Sequence, residues 1–215
     1  MNLLTPRNAR LICGVVAALC TSGAAAQTRV WDFQAFLDDA RIGYHRFTLT
    51  DQGGVRELKS ETRFEVKILF ITAYRYTHNA VERWRGDCLD SLRASTDDNG
   101  EKFLVDAVIA GDRLTVNTGK SRADFAGCVM SFAYWNPQML RQTLLLNAQT
   151  GALEPARIVD LGNETIAVRG APVAAKRYRI TGPKNPIDLW YSPSDEWLAL
   201  ESTLAGGRRL RYALK

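Results

Sequence analysis

Arg63–Thr72 reads RFEVKILFIT, and its alternation decides the fold class. Phe64, Val66, Ile68 and Phe70 fall on one side of an extended chain, with Glu65 and Lys67 on the other. The next stretch repeats the pattern. Tyr74, Tyr76, His78, Ala80 and Trp84 share a face, opposite Arg75, Asn79, Arg83 and Arg85. Phe103, Val105, Ala107 and Ile109 alternate likewise, as do Leu198, Leu200 and Leu204. A period of two belongs to half-buried antiparallel strands, one face on a core and the other in water.

The punctuation between these runs is hairpin chemistry. Asp51-Gln52-Gly53-Gly54, Asp98-Asn99-Gly100, Ala110-Gly111-Asp112, Thr150-Gly151, Gly162-Asn163 and Ala205-Gly206-Gly207 lie between apolar runs. Gly and Asn tolerate the positive φ that tight reversals need. Roughly ten to twelve strands at spacings of 8–14 residues predict a sandwich or barrel. The expected fold is therefore all-β, an antiparallel meander forming a curved sheet or incomplete β-barrel. One short helix has a place in it: Asn136 can cap, Pro137 suits the first position, and Gln138–Leu146 holds no breaker. A strand carrying Leu144–Leu146 fits the same residues.

Residues 1–26 read as a secretory signal peptide, with Arg7 and Arg10 before the apolar run Leu11–Cys20 and small residues Ala24-Ala25-Ala26 at the cleavage site. The run is too short for a bilayer, and no later segment is apolar enough to form a transmembrane span. Cys20 leaves a lipid-anchored alternative, although Leu19 before it is larger than a lipidation box prefers. Cleavage would leave residues 27–215, read as a single all-β domain, with 26 basic residues against 23 acidic ones. That balance is no nucleic-acid footprint, and no nucleic-acid partner is expected. Lys176-Arg177-Tyr178-Arg179 and Arg208-Arg209-Leu210-Arg211 are read as solvated strand faces. Cys88 and Cys128 are the cysteines left after cleavage, and an oxidising compartment would join them. Two cysteines and the distant His45 and His78 lack ligand spacing, so neither a metal nor another cofactor is expected.

No motif identifies an enzyme: the G-x-S-x-G elbow is missing, and Asp38-Asp39 and Asp97-Asp98 sit at predicted turns. What stands out is aromatic. Trp84-Arg85-Gly86-Asp87-Cys88 and Phe132-Ala133-Tyr134-Trp135-Asn136-Pro137 each follow a predicted strand, and a Cys88–Cys128 bond would bring them together. Cys128, Met130, Phe132 and Tyr134 would face one way and Trp135 the other. Rings on an inner barrel surface with polar groups at its mouth suit an apolar ligand.

Leu189–Ser192, Trp197–Glu201 and Gly207–Leu214, with Trp84–Leu89, Phe132–Pro137 and Leu145–Gly151, resemble an uncharacterised proteobacterial family of exported domains. Its C-terminal hairpin is similar to that of periplasmic β-sheet proteins of the lipoprotein-carrier type. The resemblance implies a periplasmic location and a curved sheet around a hydrophobic cavity, and it supplies no catalytic residue.

The leading reading is a periplasmic binding or carrier module for a lipid-like hydrophobic ligand, held by Tyr134, Trp135, Asn136, Trp84, Arg85 and His45. The alternative is a non-catalytic structural or partner-binding envelope protein. An enzyme ranks third and would need His45, Asp87 and Arg85 to converge.

Overall fold

The computed structural model describes residues 26–215, so all of the predicted leader but Ala26 lies outside the described residues. Eight strands form the N-terminal meander: β1 (Gln27–Leu37), β2 (Ala40–Gln52), β3 (Val55–Ile68), β4 (Ile71–Arg85), β5 (Cys88–Asp98), β6 (Glu101–Ala110), β7 (Arg113–Asn117) and β8 (Arg122–Ala126). A crossing segment, residues 127–156, follows. It carries a 3₁₀ turn at Pro137–Arg141 and a small hairpin of β9 (Leu144–Leu146) and β10 (Leu153–Pro155). The C-terminal meander comprises β11 (Arg157–Val168), β12 (Ala171–Thr181), β13 (Ile187–Tyr191), β14 (Trp197–Thr203) and β15 (Arg209–Leu214).

The two meanders join side by side. β15 pairs antiparallel with β1, from Phe33↔Leu214 to Leu37↔Leu210, and thirteen strands form one antiparallel sheet. Its edges are β8 and β11, so the sheet curves without closing. This is the incomplete barrel that the alternation predicts. The strands number fifteen because short β7 to β10 carry too few residues to show a period.

Every second strand residue turns to the inner face, and most of those side chains are apolar. Trp31 and Phe33 on β1, Trp84 on β4, Leu92 on β5, Leu114 on β7 and Trp197 on β14 are fully buried in one cluster. The crossing segment adds Met130, Ala133, Trp135, Met139, Leu145 and Leu146 to that cluster. An open, curved sheet cannot bury its concave face on itself; here the chain's own crossing fills it.

Three local expectations are corrected, and one pair of alternatives is decided. Phe70 does not continue the Phe64–Ile68 face, because the chain reverses at Leu69-Phe70, with Leu69 at φ 56°. Cys128 to Tyr134 is irregular rather than a strand, so Met130, Ser131, Ala133 and Trp135 all turn inward. Gly162-Asn163 is no hairpin turn but a bulge inside β11, where the register with β12 shifts. Asn136 does cap, accepting from Gln138 N at 3.1 Å, but the 3₁₀ turn stops at Arg141 and Leu144–Leu146 is a strand.

Candidate functional site

The crossing segment decides where the predicted site residues go. Cys88 at the start of β5 is disulfide-bonded to Cys128, which pins the segment's entry to the sheet. The backbone N–H of Leu89 donates to Val129 O at 2.9 Å beside it. From there the chain runs inward. Ser131 Oγ reaches Glu82 on β4, at 3.0 and 3.1 Å from the two carboxylate oxygens, and Trp84 Nε1–H donates to the same carboxylate at 3.0 Å. Glu82 shares the inward face of Ala80 and Trp84, and burial pushes its carboxyl up to about 7 against the lowering effect of those donors.

Trp135 packs edge-on against Trp84, ring centroids 5.5 Å apart, and its other side carries the Arg56 guanidinium at 4.7 Å. Its Nε1–H is buried with no acceptor among the described residues. Asn136 donates to Asp87 Oδ1 at 3.0 Å, and Arg56 donates to the same oxygen at 3.3 Å. Tyr134 is half-buried, its ring 5.3 Å from Trp197 and its carbonyl accepting from Tyr191 Oη at 2.7 Å; burial raises its phenol.

Trp84, Trp135, Asn136 and Asp87 therefore do assemble, at the end of the half-barrel that holds the β2–β3, β4–β5 and β13–β14 turns. A cleft of about 280 Å³ opens there, lined by Gln27, Arg29, Asp51, Arg56, Trp135 and Asn136, among others. Arg29 stacks over Trp31 at 4.9 Å and pairs with Glu196. The lining is of mixed charge rather than apolar. Its residues come from β1, β2, β3, the crossing segment and the β13–β14 turn, so no local spacing marks Arg29, Arg56 or Asp195 as neighbours.

Arg85 and His45 do not join this group. Arg85 points outward and pairs with Asp90 at 2.9 Å. His45 lies inside, on β2, with Nε2 2.7 Å from Ser60 Oγ and Nδ1 3.2 Å from Tyr212 Oη, and its ring stacks on Phe47 at 3.9 Å. Burial holds His45 well below its usual value, with His78 adding repulsion; burial alone takes His78, bonded to Thr96 at 2.8 Å, down to about 4. His45, Asp87 and Arg85 keep three separate sets of partners, so the catalytic convergence considered from sequence does not form. The basic runs are paired. Lys176 meets Asp160 at 2.8 Å, Arg177 and Arg179 grip Asp188 at 2.5 and 2.6 Å, and Arg208 meets Asp38 at 2.9 Å. Among the described residues no helix is long and apolar enough to cross a membrane, and no cluster of His, Cys, Asp or Glu could hold a metal.

The profile of a family described as a domain of unknown function (DUF6134) matches residues 33–215. The crystal structure of a beta-barrel-like protein of domain of unknown function DUF1849 from Brucella abortus is similar, with a TM-score of 0.59 at 11% identity. That match covers 87% of this chain and 94% of the other. No curated protein matches. Both descriptions leave function open, and at this identity the likeness carries the fold alone.

Proposed function

The chain belongs to the DUF6134 family of unknown function, and from that premise we propose that it is an exported, non-catalytic binding module that engages a protein partner at the mouth cleft. The observation carrying this reading is the crossing segment. Its rings and methionines sit against the sheet's inner face, where a carrier would hold its ligand. The Trp135–Pro137 corner of the segment lines the floor of the mouth cleft, with Trp135 and Asn136 themselves buried, beside Arg29 and Arg56. A tryptophan under an arginine, ringed by charges of both signs, is the composition of protein–protein hot spots rather than of a lipid tunnel. Export is supported by the disulfide, which an oxidising compartment favours.

Two measurements test it on the protein purified from the envelope of cells expressing the full chain. Native mass spectrometry before and after organic extraction asks for a ligand. The expected species is bare protein at its calculated mass less two hydrogens. A lipid of defined mass, lost on extraction, would overturn the reading in favour of a carrier. A photo-crosslinking residue at Gln138, beside the cleft, should trap one protein species in cells, and Arg56→Glu should abolish it. A crosslink unaffected by Arg56→Glu, or none at all, removes the cleft from the account.

A further inference from the structure

At the opposite end of β3 from Arg56, the β3–β4 hairpin stands apart from the sheet. β2 last pairs with β3 at Phe64, and β5 last pairs with β4 at Tyr76, so Glu65 to Arg75 bond in register only to each other. The β5–β6 turn touches the base of this ribbon through Asn99 N–H donating to Arg75 O at 2.8 Å. From Glu65 to Leu69 the free ribbon extends about 13 Å at strand rise.

Its tip is Ile68-Leu69-Phe70-Ile71, exposed to 65, 88, 99 and 73%. Turn tips are ordinarily the most polar part of a hairpin, because Gly, Asn and Asp adopt the required backbone without cost. The other described non-glycine residues at positive φ are all polar: Asp38, Asn99, Arg169 and Asp195. Leu69, at φ 56°, is the apolar exception. Both the local conformation and the hydration of four apolar side chains oppose this choice, which is the signature of a segment whose working surroundings are not water.

We propose that this tip inserts into the interfacial layer of a lipid bilayer. The geometry favours lipid over a protein groove. Ile68 and Ile71 pair directly and share one face of the ribbon, and Leu69 and Phe70 close it as an almost wholly exposed end, so the apolar surface is the projecting point of a hairpin, a shape that enters a layer end-on rather than lying along a groove. A second copy is a poorer occupant, since two tips in contact bury far less than the about 800 Å² per partner of a stable dimer. Behind the tip, Arg75 provides a headgroup-level cation, while Lys67 is paired with Glu65 at 3.3 Å and Thr72 donates to the same carboxylate at 3.0 Å. The register shift after Val66, which leaves Ala73 unpaired, re-aims the tip away from the sheet. An insertion of 5–10 Å, the depth of interfacial anchors, is within the ribbon's about 13 Å reach. The proposal does not depend on the mouth cleft, which lies at the other end of the half-barrel.

The test is co-sedimentation of the protein, purified from cells expressing the full chain, with vesicles of phosphatidylethanolamine and phosphatidylglycerol in equal parts. Wild type should bind with little dependence on salt, since apolar burial dominates over the few cations. Leu69→Asn, which gives the turn a residue suited to positive φ, should keep or raise the thermal midpoint while weakening vesicle binding at least tenfold. Phe70→Asp should do the same to binding, and Leu104→Asp on the outer face of β6 should leave it unchanged. Lack of wild-type binding, or tip variants that bind like wild type, would overturn the proposal. So would a concentration-dependent dimer in the absence of vesicles that Phe70→Asp dissolves, because the tip would then be a self-association surface.

Discussion

Replacing Glu82 with Gln gives a direct reading of the buried carboxyl that links sheet to crossing segment. Gln has nearly the same shape, can accept from Trp84 Nε1–H, and can donate to Ser131 Oγ, so the packing survives. Only the titration is lost. In the folded chain the carboxyl sits at about 7 against its ordinary 4.5. A raised acid stabilises the fold fully below its unfolded value and loses that contribution as pH rises through the folded one. The loss spans the window from 4.5 to about 7, and at 1.36 kcal/mol per unit it amounts to about 3 kcal/mol. The histidines run the other way, but they are present in both proteins and cancel in the difference. Urea unfolding of wild type and Glu82→Gln, disulfide intact, should therefore give a stability difference that is flat below pH 4.5. The difference should climb by about 3 kcal/mol in favour of Gln by pH 8 and stay level above. Parallel curves across that range would refute the reasoning, since they would mean that Glu82 is solvated and titrates as a surface acid does.

Removing the Cys88–Cys128 bond as the double alanine variant should lower stability by about 4 kcal/mol for the loop it closes, read as a shift in urea midpoint; a midpoint matching wild type would show the segment to be held by packing alone. Gly43→Ala should cost roughly 2–4 kcal/mol, because its Cβ would lie 1.9 Å from the backbone oxygen of Arg63 on β3; a neutral result would mean the two strands can separate there without penalty. The His78 imidazole should titrate by NMR with a midpoint of about 4, and its contribution to stability, present above its unfolded value near 6.5, should disappear as pH falls through that midpoint. A midpoint near 6.5 would place the ring in contact with solvent.

The alternation in Arg63–Thr72 and Tyr74–Trp84 sufficed for the fold class, because a period of two is a local property. The glycine turns at Gly53-Gly54 and Asn99-Gly100 were legible for the same reason. Leu69-Phe70 was not, since a turn made of apolar residues carries no turn chemistry. Glu82 was legible in principle: it is in phase with Ala80 and Trp84, and a carboxylate on an inward face signals a buried acid. The crossing segment eluded the reading because Met130, Ser131 and Ala133 turn inward together, which no single period describes. The cleft eluded it for a deeper reason. Gln27, Arg56, Trp135 and Asp195 meet only because β15 returns to lie beside β1, and strand order is a property of the whole chain.

That return has a consequence for how the chain is made. Synthesis proceeds from the N-terminus, so β1 emerges well before β15, its neighbour on one side. Until Arg209–Leu214 arrives, the free rim of β1 offers unpaired backbone groups to any passing strand, and Phe33 lacks the cover of Tyr212 and Trp197. The two halves are then zipped by a handful of residues nearly the full chain apart, the kind of remote closure that makes folding slow. Loss of Arg209–Leu214 would therefore leave the N-terminal half with an open seam in the middle of the sheet.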